Sequence, residues 1–291
     1  MIGVHKNRAF GRSHLVLFCA LAWFGAGLLR PAMANERFER ASIPTPHVVL
    51  QAVLFRPEGP GPFPAVIALH GCGGLWNKEG APSARHADWA ERLVAQGFMV
   101  LMPDSFGSRA IGSQCGVTDR HVRAGRERVR DVQAARGWLQ QRPDVKPEAI
   151  SVMGWANGGS TVLGAMRFDR RTEDGRPDFA RAVAFYPNCR RFLENPEYRL
   201  RAPTLILIGD ADDWTPPGPC LAFAAAAKGR GEPLDIIVYP GALHDFDHPK
   251  LETRKREGLA FTPDDQGVAH VGTNPEARED ALRRVPAFLA R

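Results

Sequence analysis

The chain repeats one local pattern from residue 48 to its C-terminus: a short apolar run, a turn containing Gly or Pro, and an amphipathic stretch. Short continuous apolar runs are typical of parallel strands that are buried on both faces, and the amphipathic stretches between them favour helices. Strands that alternate with helices build a mostly parallel sheet with helices on both faces. The pattern therefore predicts an α/β fold around a central sheet of about seven or eight strands.

The predicted strands are the apolar runs Val48 to Phe55, Ala65 to Leu69, Phe98 to Met102, Ile150 to Met153, Ala182 to Tyr186, Thr204 to Ile208 and Ile236 to Tyr239. The predicted helices are Ala87 to Gln96, Arg123 to Gln141, Asn157 to Met166, Pro219 to Lys228 and Glu276 to Ala290. Two further stretches, Asp104 to Asp119 and Lys250 to Asn274, are rich in turn-forming or charged residues, and we expect long loops there. The sequence contains no repeat or linker that would divide these elements into two domains.

The first 34 residues have the parts of a secretory signal peptide. A basic start is followed by an almost wholly apolar stretch from Leu15 to Leu29 and by an A-x-A cleavage motif that ends at Ala34. The apolar stretch is shorter than the about 20 residues of a membrane span, so an uncleaved anchor is the less favoured alternative. We expect residues 1–34 to be a signal peptide and residues 35–291 to be one α/β domain of an exported protein, periplasmic or secreted, without stable membrane insertion.

Removal of this segment changes the charge balance. The full chain has 38 basic and 32 acidic residues, a net charge of +6. Four of the basic residues and none of the acidic ones lie in the segment, so a net charge of +2 remains. A nucleic-acid-binding domain is expected to show a basic face or stripe. The nearly neutral chain predicts no nucleic-acid partner.

Four cysteines follow the predicted cleavage point: Cys72, Cys115, Cys189 and Cys220. An even number of cysteines in an exported protein favours disulfides, although four cysteines allow three pairings. The cysteines do not have metal-site spacing, and the chain has neither a G-x-G-x-x-G motif after its first strand nor an H-E-x-x-H motif. The sequence therefore predicts no metal, nucleotide or flavin cofactor.

The predicted strand that ends at Met153 runs into Gly154-Trp155-Ala156-Asn157-Gly158-Gly159 and then into an apolar helical stretch. This spacing is that of a G-x-S-x-G nucleophile elbow, a sharp strand-to-helix turn that projects its central side chain at the top of the sheet. The central residue here is Ala156, which has no nucleophilic atom. The backbone amide of Asn157, at the start of the predicted helix, is a candidate donor to an oxyanion. Taken alone, the motif also fits a plain glycine-rich turn.

A second glycine-rich segment, His70-Gly71-Cys72-Gly73-Gly74, follows an earlier predicted strand. It is similar to the H-G-G-G type of loop that supplies the second oxyanion donor beside such elbows. The backbone amides of Gly71 and Cys72 are the candidates for this donor. The alternative is a glycine-rich turn with no catalytic part.

A candidate acid and a candidate base follow two later strands. One loop contains three aspartates, Asp210, Asp212 and Asp213, and each of them competes for the role of acid. His244 comes just after the last core strand and is placed to act as a general base, with His248 as a competitor if this loop were helical. The order of elbow, acid and histidine along the chain is the order of a triad built on an elbow of this kind.

Together these motifs resemble those of the dienelactone hydrolase family of α/β-hydrolases, over most of the chain after the predicted signal peptide. The family's G-x-x-D-x-x-x-P pattern matches Gly209, Asp212 and Pro216, which assigns the acid to Asp212. Its G-H-x-F turn corresponds to Leu243-His244-Asp245-Phe246, with leucine in place of the usual glycine. The resemblance implies a hydrolase of carboxylic esters or lactones with Cys or Ser at position 156, with His244 as the base and with two backbone amides around the oxyanion.

Ala156 departs from the family pattern at the residue on which covalent catalysis depends. Loss of this nucleophile lowers the rate by on the order of 10⁶-fold. An engineered replacement, a natural pseudoenzyme and a substitute nucleophile are the three explanations, and the presence of a signal segment favours a natural sequence. Ser160 is poorly placed as a substitute because it projects from the following helical turn. Cys72 is better placed, but we favour the disulfides Cys72–Cys115 and Cys189–Cys220, each joining loops at one end of the sheet.

Three functional hypotheses follow. The first is an exported hydrolase of small-molecule esters or lactones, with Asp212 and His244 in its site. The second is a pseudoenzyme or ligand-binding protein that holds such molecules without turning them over, and the third is an interaction module on the same fold. Three arginines, Arg85, Arg109 and Arg190, are candidates to pair with a substrate carboxylate, against the alternative that each is solvated. The sequence does not predict the oligomeric state.

Overall fold

An eight-stranded sheet lies at the centre of the computed structural model, which describes residues 38–170 and 174–291. In chain order its strands are β1 (Glu39–Pro44), β2 (Val49–Phe55), β3 (Phe63–Leu69), β4 (Met99–Pro103), β5 (Val145–Trp155), β6 (Ala182–Phe185), β7 (Thr204–Gly209) and β8 (Leu234–Tyr239). Their order across the sheet is β1-β2-β4-β3-β5-β6-β7-β8. The β1–β2 and β2–β4 pairs are antiparallel and all other neighbouring pairs are parallel. The predicted mostly parallel α/β sheet is confirmed.

Helices cover this sheet on both faces. In the described ranges they are α1 (Ala84–Val94), α2 (Glu127–Leu139), α3 (Asn157–Ala165), α4 (Arg190–Leu193), α5 (Pro217–Gly229) and α6 (Pro275–Leu289). All residues of β4, β6 and β7 are buried, which requires packing partners on either side of the sheet. An ion pair of 2.6 Å between Arg278 and Asp88 joins α6 to α1, and α2 packs against α3.

The inner strands are buried because their sequences are apolar on both faces. The segment Ala65–Leu69 of β3 is fully apolar and buried, as is Leu205–Ile208 of β7. Each buried Val, Leu or Ile contributes roughly 1.5–3 kcal/mol relative to an exposed side chain. Since parallel strands point the same way, this core aligns the carboxyl ends of β3, β5, β7 and β8 along one edge of the sheet, where ligands bind in open α/β folds.

The short helix α4 and two strand features of the structure differ from the expectation. The pattern does not predict β1, because this edge strand buries only Ile43 of its six residues. The expected long loop from Lys250 to Asn274 contains an antiparallel hairpin of two three-residue strands, β9 (Arg254–Arg256) and β10 (Ala269–Val271). Strands of this length are too short to show a hydrophobic period. The hairpin lies at the same edge as the motifs, because Val271 of β10 forms a bridge with His244.

Both expected disulfides are present. Cys72 is bonded to Cys115 and Cys189 to Cys220, with the Cα atoms of each pair 4.9 Å apart. The first bond joins the loop after β3 to the long loop after β4, and the second joins the start of α4 to α5. The predicted pairing is therefore confirmed by the structure.

The N-terminal prediction is not tested by the structure, because the predicted signal peptide, residues 1–34, lies outside the described residues. The described residues, 38–170 and 174–291, belong to one compact unit. In the part of the chain that the structure describes, every helix is too short or too polar to cross a lipid bilayer.

The two disulfides lead to a direct chemical prediction. Thiol titration of the denatured, unreduced protein should detect none of the four cysteines after residue 34, because all four are paired. The count should be one thiol when Cys19 is retained and none when the N-terminal segment is absent, and reduction should add four. Peptide mapping checks the pairing, and alkylation of Cys72 before reduction would contradict it.

Candidate active site

The turn between β5 and α3 has the backbone geometry of an elbow. Ala156 occupies it with φ 50° and ψ −110°, a conformation that costs a residue with a side chain of the order of 1–3 kcal/mol. The Ala156 amide donates to the carbonyl of Phe185 on β6 at 3.0 Å, and its carbonyl accepts from the amide of Ser160 at 2.8 Å. The turn is therefore held in this shape by its backbone bonds to β6 and α3.

Glycines beside the turn allow α3 to begin at Asn157, directly after Ala156. A Cβ added to Gly154 would lie 2.6 Å from the backbone of Gly158, and one added to Gly158 would lie 2.2 Å from the carbonyl oxygen of Leu69. In contrast, an added Cβ at Gly71 would make only ordinary contacts, the nearest at 3.5 Å. The close backbone approach therefore depends on Gly154 and Gly158 and not on Gly71.

His244 and Asp212 form a buried acid–base pair. The Nδ1 atom of His244 lies 2.8 Å from Oδ2 of Asp212, and both side chains are almost fully buried. The other carboxylate oxygen, Oδ1, accepts from the backbone amides of Trp214 at 3.0 Å and Thr215 at 2.8 Å. The hydroxyl of Thr215 donates to Oδ2 at 3.0 Å. The carboxylate is thus fixed by its own loop and presents one oxygen to the imidazole.

The competing residues are occupied elsewhere. Asp210 accepts from the amide of Gly241, and Asp213 binds the exposed His270 through both its ring and its amide. His248 accepts from the amide of Lys250. Among the three aspartates, only Asp212 is bonded to His244 in the described structure.

The surroundings of His244 favour its protonated form. Burial by itself lowers the pKa of His244, but the charge of Asp212 and the hydrogen bond to it outweigh burial and raise the pKa above its ordinary value of 6.5. The imidazole is flanked by the rings of Tyr186, with centroids 4.4 Å apart, and Trp214, at 4.7 Å. Because Asp212 occupies Nδ1, the Nε2 atom is the ring nitrogen that remains for proton transfer.

A buried carboxylate supports the loop that carries His244. Asp247 accepts hydrogen bonds from the indole of Trp89 at 2.8 Å, the indole of Trp155 at 2.7 Å and the hydroxyl of Tyr186 at 2.6 Å. Arg85 donates to the same hydroxyl at 2.9 Å and pairs with the carboxylate of Asp245. The sequence analysis did not find this network, because its members come from four separate elements and share no motif.

The candidate oxyanion donors lie on one cavity with Ala156 and His244. This cavity has a volume of about 380 Å³, and Cys72 and Asn157 line it. In the described part of the chain the amides of Cys72 and Asn157 donate to no protein acceptor. Gly71 does not line the cavity but is packed against the elbow, where an added Cβ would lie 3.8 Å from that of Ala156. Four of the six predicted site residues therefore line the cavity, and a fifth, Asp212, lies directly behind His244. The sixth, Gly71, packs beside the elbow.

His70, just before this loop, is neutral. Burial first, and then the charge of Arg128, lower the pKa of His70 well below its ordinary value. Its Nδ1 bonds to the carbonyl of Gly71 at 2.8 Å, and Nε2 accepts from the amide of Ser105 at 3.2 Å. The 3.8 Å approach of Nε2 to Asp104 is therefore not an ion pair. His70 fixes the backbone at the start of the loop.

Neither suggested substitute nucleophile is available. Cys72 forms a disulfide with Cys115 and has no free thiol. Ser160 lines the cavity, but its hydroxyl donates to the carbonyl of Ala156 at 3.2 Å and accepts from the amide of Asn188 at 3.0 Å. These bonds hold the hydroxyl against the backbone of the elbow.

The cationic residues at the cavity differ from those that the sequence suggested. Arg85 is paired with Asp245, Arg109 makes two hydrogen bonds to Asp131 at 2.7 and 2.9 Å, and Arg190 does not line the cavity. The arginines that do line it are Arg120, Arg123 and Arg191. Their positions depend on how the loop after β4 and helix α4 fold over the cavity, which no local pattern predicts.

Two of these three arginines have no carboxylate partner within the described ranges. Arg123 pairs with Glu127 at 2.9 Å, whereas Arg120 donates to the carbonyl of Val117 and lies over the ring of Phe261. Burial lowers the pKa of Arg120. Arg191 is exposed at the cavity wall. Asp119 also lines the cavity, so three guanidinium groups face one carboxylate there.

The described residues do not include a group of three or more His, Cys, Asp or Glu side chains arranged to hold a metal ion. The chemistry of the cavity consists of an acid–base pair, backbone amides and guanidinium groups. Such groups suit proton transfer and binding of a polarised carbonyl.

The parallel sheet, the elbow and the residues at its carboxyl edge define an α/β-hydrolase fold. The chain belongs to the dienelactone hydrolase family, whose model matches residues 50–291. The family resemblance inferred from the motifs is thus confirmed.

Known proteins agree with this assignment. A Synechocystis sp. protein named as a carboxymethylenebutenolidase is 28% identical over 43% of this chain, and the match spans only 52% of that relative. A Bradyrhizobium protein named as a 2-oxo-3-(5-oxofuran-2-ylidene)propanoate lactonase is 27% identical over 67% of this chain and 78% of the relative. The crystal structure of a Klebsiella pneumoniae protein named as a dienelactone hydrolase superposes with a TM-score of 0.63 at 19% identity, covering 87% of this chain and 98% of that one. Family and relatives are hydrolases.

The close contact at Gly158 gives a stability prediction. Gly158→Ala should lower the free energy of unfolding by about 2–3 kcal/mol, because its Cβ would overlap a backbone carbonyl that cannot rotate away. Gly73→Ala is the matched control, since an added Cβ there meets nothing within 4 Å and the change should be within about 0.5 kcal/mol. Chemical denaturation measures both, and equal stabilities would show that the contact is not tight.

Proposed function

We propose that the cavity binds carboxylic esters or lactones at a hydrolase site of the dienelactone hydrolase type. In this proposal Asp212 is the acid, His244 the general base, and position 156 the place of the nucleophile. The amides of Cys72 and Asn157 hold the carbonyl oxygen. The observation that carries the proposal is the buried hydrogen bond of 2.8 Å between His244 and Asp212 beside a strained elbow on the same cavity.

Each group has a chemical task when a hydroxyl or thiol stands at position 156. His244 removes its proton through Nε2 as the oxygen or sulfur attacks the ester carbonyl, and it then passes that proton to the departing alkoxide. Asp212 keeps the imidazole in the required orientation and stabilises its protonated form. The two amides take up the negative charge on the carbonyl oxygen. Water then attacks the acyl intermediate, again with His244 as the base.

Ala156 closes this covalent route in the chain as it stands. The methyl group has no lone pair and no proton to give up, so no acyl intermediate forms. Binding and oxyanion stabilisation remain, and they leave a rate about 10⁶-fold lower than that of a complete triad. This single side chain favours the second candidate function, a pseudoenzyme or protein that binds such ligands without turning them over.

The charge at the cavity mouth supports a ligand class. Arg120 and Arg191 offer guanidinium groups without carboxylate partners in the described structure, and guanidinium binds carboxylates in a bidentate geometry. The name of the Bradyrhizobium relative describes a lactone that carries an acid group. We therefore extend the proposal to esters or lactones with a carboxylate.

We also propose that the protein is exported to the periplasm or secreted. The two disulfides support this, because disulfides persist in oxidising compartments. The ligand is a small molecule, and nucleic acid has no part in the proposal.

Restoring the nucleophile tests the proposed function. Ala156→Ser should raise hydrolysis of p-nitrophenyl butyrate by several orders of magnitude, up to about 10⁶-fold, because the base and oxyanion donors are already in place. The matched control is Ala110→Ser, which makes the same change at another positive-φ alanine that is exposed outside the cavity and should leave the rate unchanged. A folded Ala156→Ser protein without any gain would contradict the triad assignment.

The pH profile of that variant identifies the base. Activity of Ala156→Ser should rise with pH as His244 loses its proton, with a midpoint above 6.5 because Asp212 raises the pKa of His244. Asp212→Asn in the same background should move the midpoint down, since burial then acts without the opposing carboxylate. An unchanged midpoint would exclude His244 as the titrating group.

A selectivity measurement tests the ligand class. In the Ala156→Ser background, Arg191→Met should raise KM for mono-p-nitrophenyl glutarate about tenfold, the effect of losing one charge-assisted hydrogen bond. KM for the uncharged p-nitrophenyl valerate should stay the same. Arg190→Met removes the neighbouring guanidinium, which does not line the cavity, and should affect neither substrate. Equal effects of both variants would contradict a carboxylate subsite.

A further inference from the structure

One guanidinium is buried beside the site without a direct ion pair. Arg128, in the first turn of α2, has a relative exposure of 0%. Within residues 38–170 and 174–291 it forms no ion pair, and its Nε atom has no hydrogen-bond partner. Burial lowers the pKa of Arg128 to about 10, so the group still carries its charge at neutral pH. The charges of Asp131 and Asp104 offset part of the burial cost, but burial remains the larger effect. Burial of a charge without a direct ion pair is costly, so the retention of Arg128 calls for an explanation.

The two polar contacts of Arg128 lie on the two segments that carry the proposed oxyanion donors. Nη2 donates to the carbonyl oxygen of His70 at 2.8 Å, and His70 is the residue before Gly71 and Cys72. Nη1 donates to the side-chain oxygen of Asn157 at 2.5 Å, and Asn157 carries the other donor. The guanidinium also lies over the ring of Phe106, 5.2 Å from its centroid. One planar group therefore bridges the loop after β3 and the start of α3.

We propose that Arg128 is a positioning residue that sets the separation and orientation of the Cys72 and Asn157 amides and adds positive charge behind them. This inference rests on the proposed function. The carbonyl of His70 belongs to the peptide group between His70 and Gly71. A hydrogen bond to this carbonyl fixes the orientation of that peptide plane, and the Cys72 amide belongs to the next peptide group along the chain. At Asn157 the side chain is held in the same way, and this residue lines the cavity. Both amides lack another acceptor in the described structure.

A second buried arginine on α2, Arg136, has contacts that fit a purely structural role and serves as a comparison for Arg128. Arg136 lies about two turns further along α2 and is buried to a similar degree, 2% exposed. It binds the carbonyl of Pro177 at 2.7 Å and lies 3.4 Å from the carboxylate of Asp178. Its charge is thus balanced away from the cavity. Arg136→Met is therefore the matched control for the loss of a buried guanidinium from α2.

The kinetic test uses the Ala156→Ser protein. Arg128→Met should lower kcat for p-nitrophenyl butyrate at least about tenfold with KM changed less than about threefold, since outer contacts of this kind act on the transition state. Arg136→Met should leave kcat of the folded protein unchanged even where it lowers stability. Arg128→Lys keeps the charge but has only one of the two planar contacts, and its kcat should lie between those of Arg128→Met and the parent.

A binding test on the natural Ala156 chain separates this inference from the proposed catalytic function. Butylphosphonate, an anion that mimics the charge on the carbonyl oxygen, should shift the ¹⁵N amide signals of Cys72 and Asn157. Its Kd should rise at least about tenfold in Arg128→Met and stay the same in Arg136→Met. If Ala156→Ser is inactive but this difference holds, the catalytic proposal fails and the role of Arg128 stands.

Three results would overturn the inference. One is a folded Arg128→Met protein whose kcat and phosphonate affinity both match those of the parent within about threefold. The second is the absence of any phosphonate shift at Cys72 and Asn157 in the parent chain. The third result applies if Arg128→Met does not fold. In that case an Arg128→Lys protein with unchanged kcat and phosphonate affinity would show that the two hydrogen bonds to His70 and Asn157 are not needed.

Discussion

The site depends on a close contact between two pieces of backbone, the first turn of α3 and the end of β3. The Cα of Gly158 lies so near the carbonyl of Leu69 that a Cβ would have only 2.2 Å of room. The helix starts close to the neighbouring strand, and Asn157 at its first turn lines one cavity together with Cys72. Arg128 spans the same junction from behind. The elbow, the proposed oxyanion donors and the buried charge all lie at this one tightly packed junction.

Much of the fold was predictable because the relevant signals are local. Apolar runs indicate the inner strands, and the turn motifs mark where three of them end. The edge strand β1 and the hairpin β9–β10 are not predicted in this way. Strand β1 is mostly solvent-exposed, and the hairpin strands are too short to show a hydrophobic periodicity. Asp212 was separable from its neighbours only through the family pattern. The structure gives the physical reason, which is that Asp210 and Asp213 bind other groups.

The residues that sequence analysis missed are joined through tertiary contacts alone. Arg128, Asp247 and Arg191 lie in segments with no recognisable motif, and an arginine in an amphipathic helix is normally solvated. Nothing in the spacing of α2 distinguishes Arg128 from Arg136. The difference arises because one faces two neutral oxygens at the cavity while the other faces Asp178. These folded-state contacts are the basis for assigning the positioning role to Arg128 and not to Arg136.

The alanine at the elbow has a strained backbone conformation but no nucleophilic side chain. A left-handed backbone at a residue with a side chain is unfavourable, and glycine would adopt φ 50° without that cost. The protein therefore keeps the strain of a nucleophile's backbone without the nucleophile. In genetic terms, every alanine codon becomes a serine codon through a change of its first base. A lineage that carries this chain is separated from the proposed triad by one point mutation, because serine would take the backbone conformation that Ala156 already has.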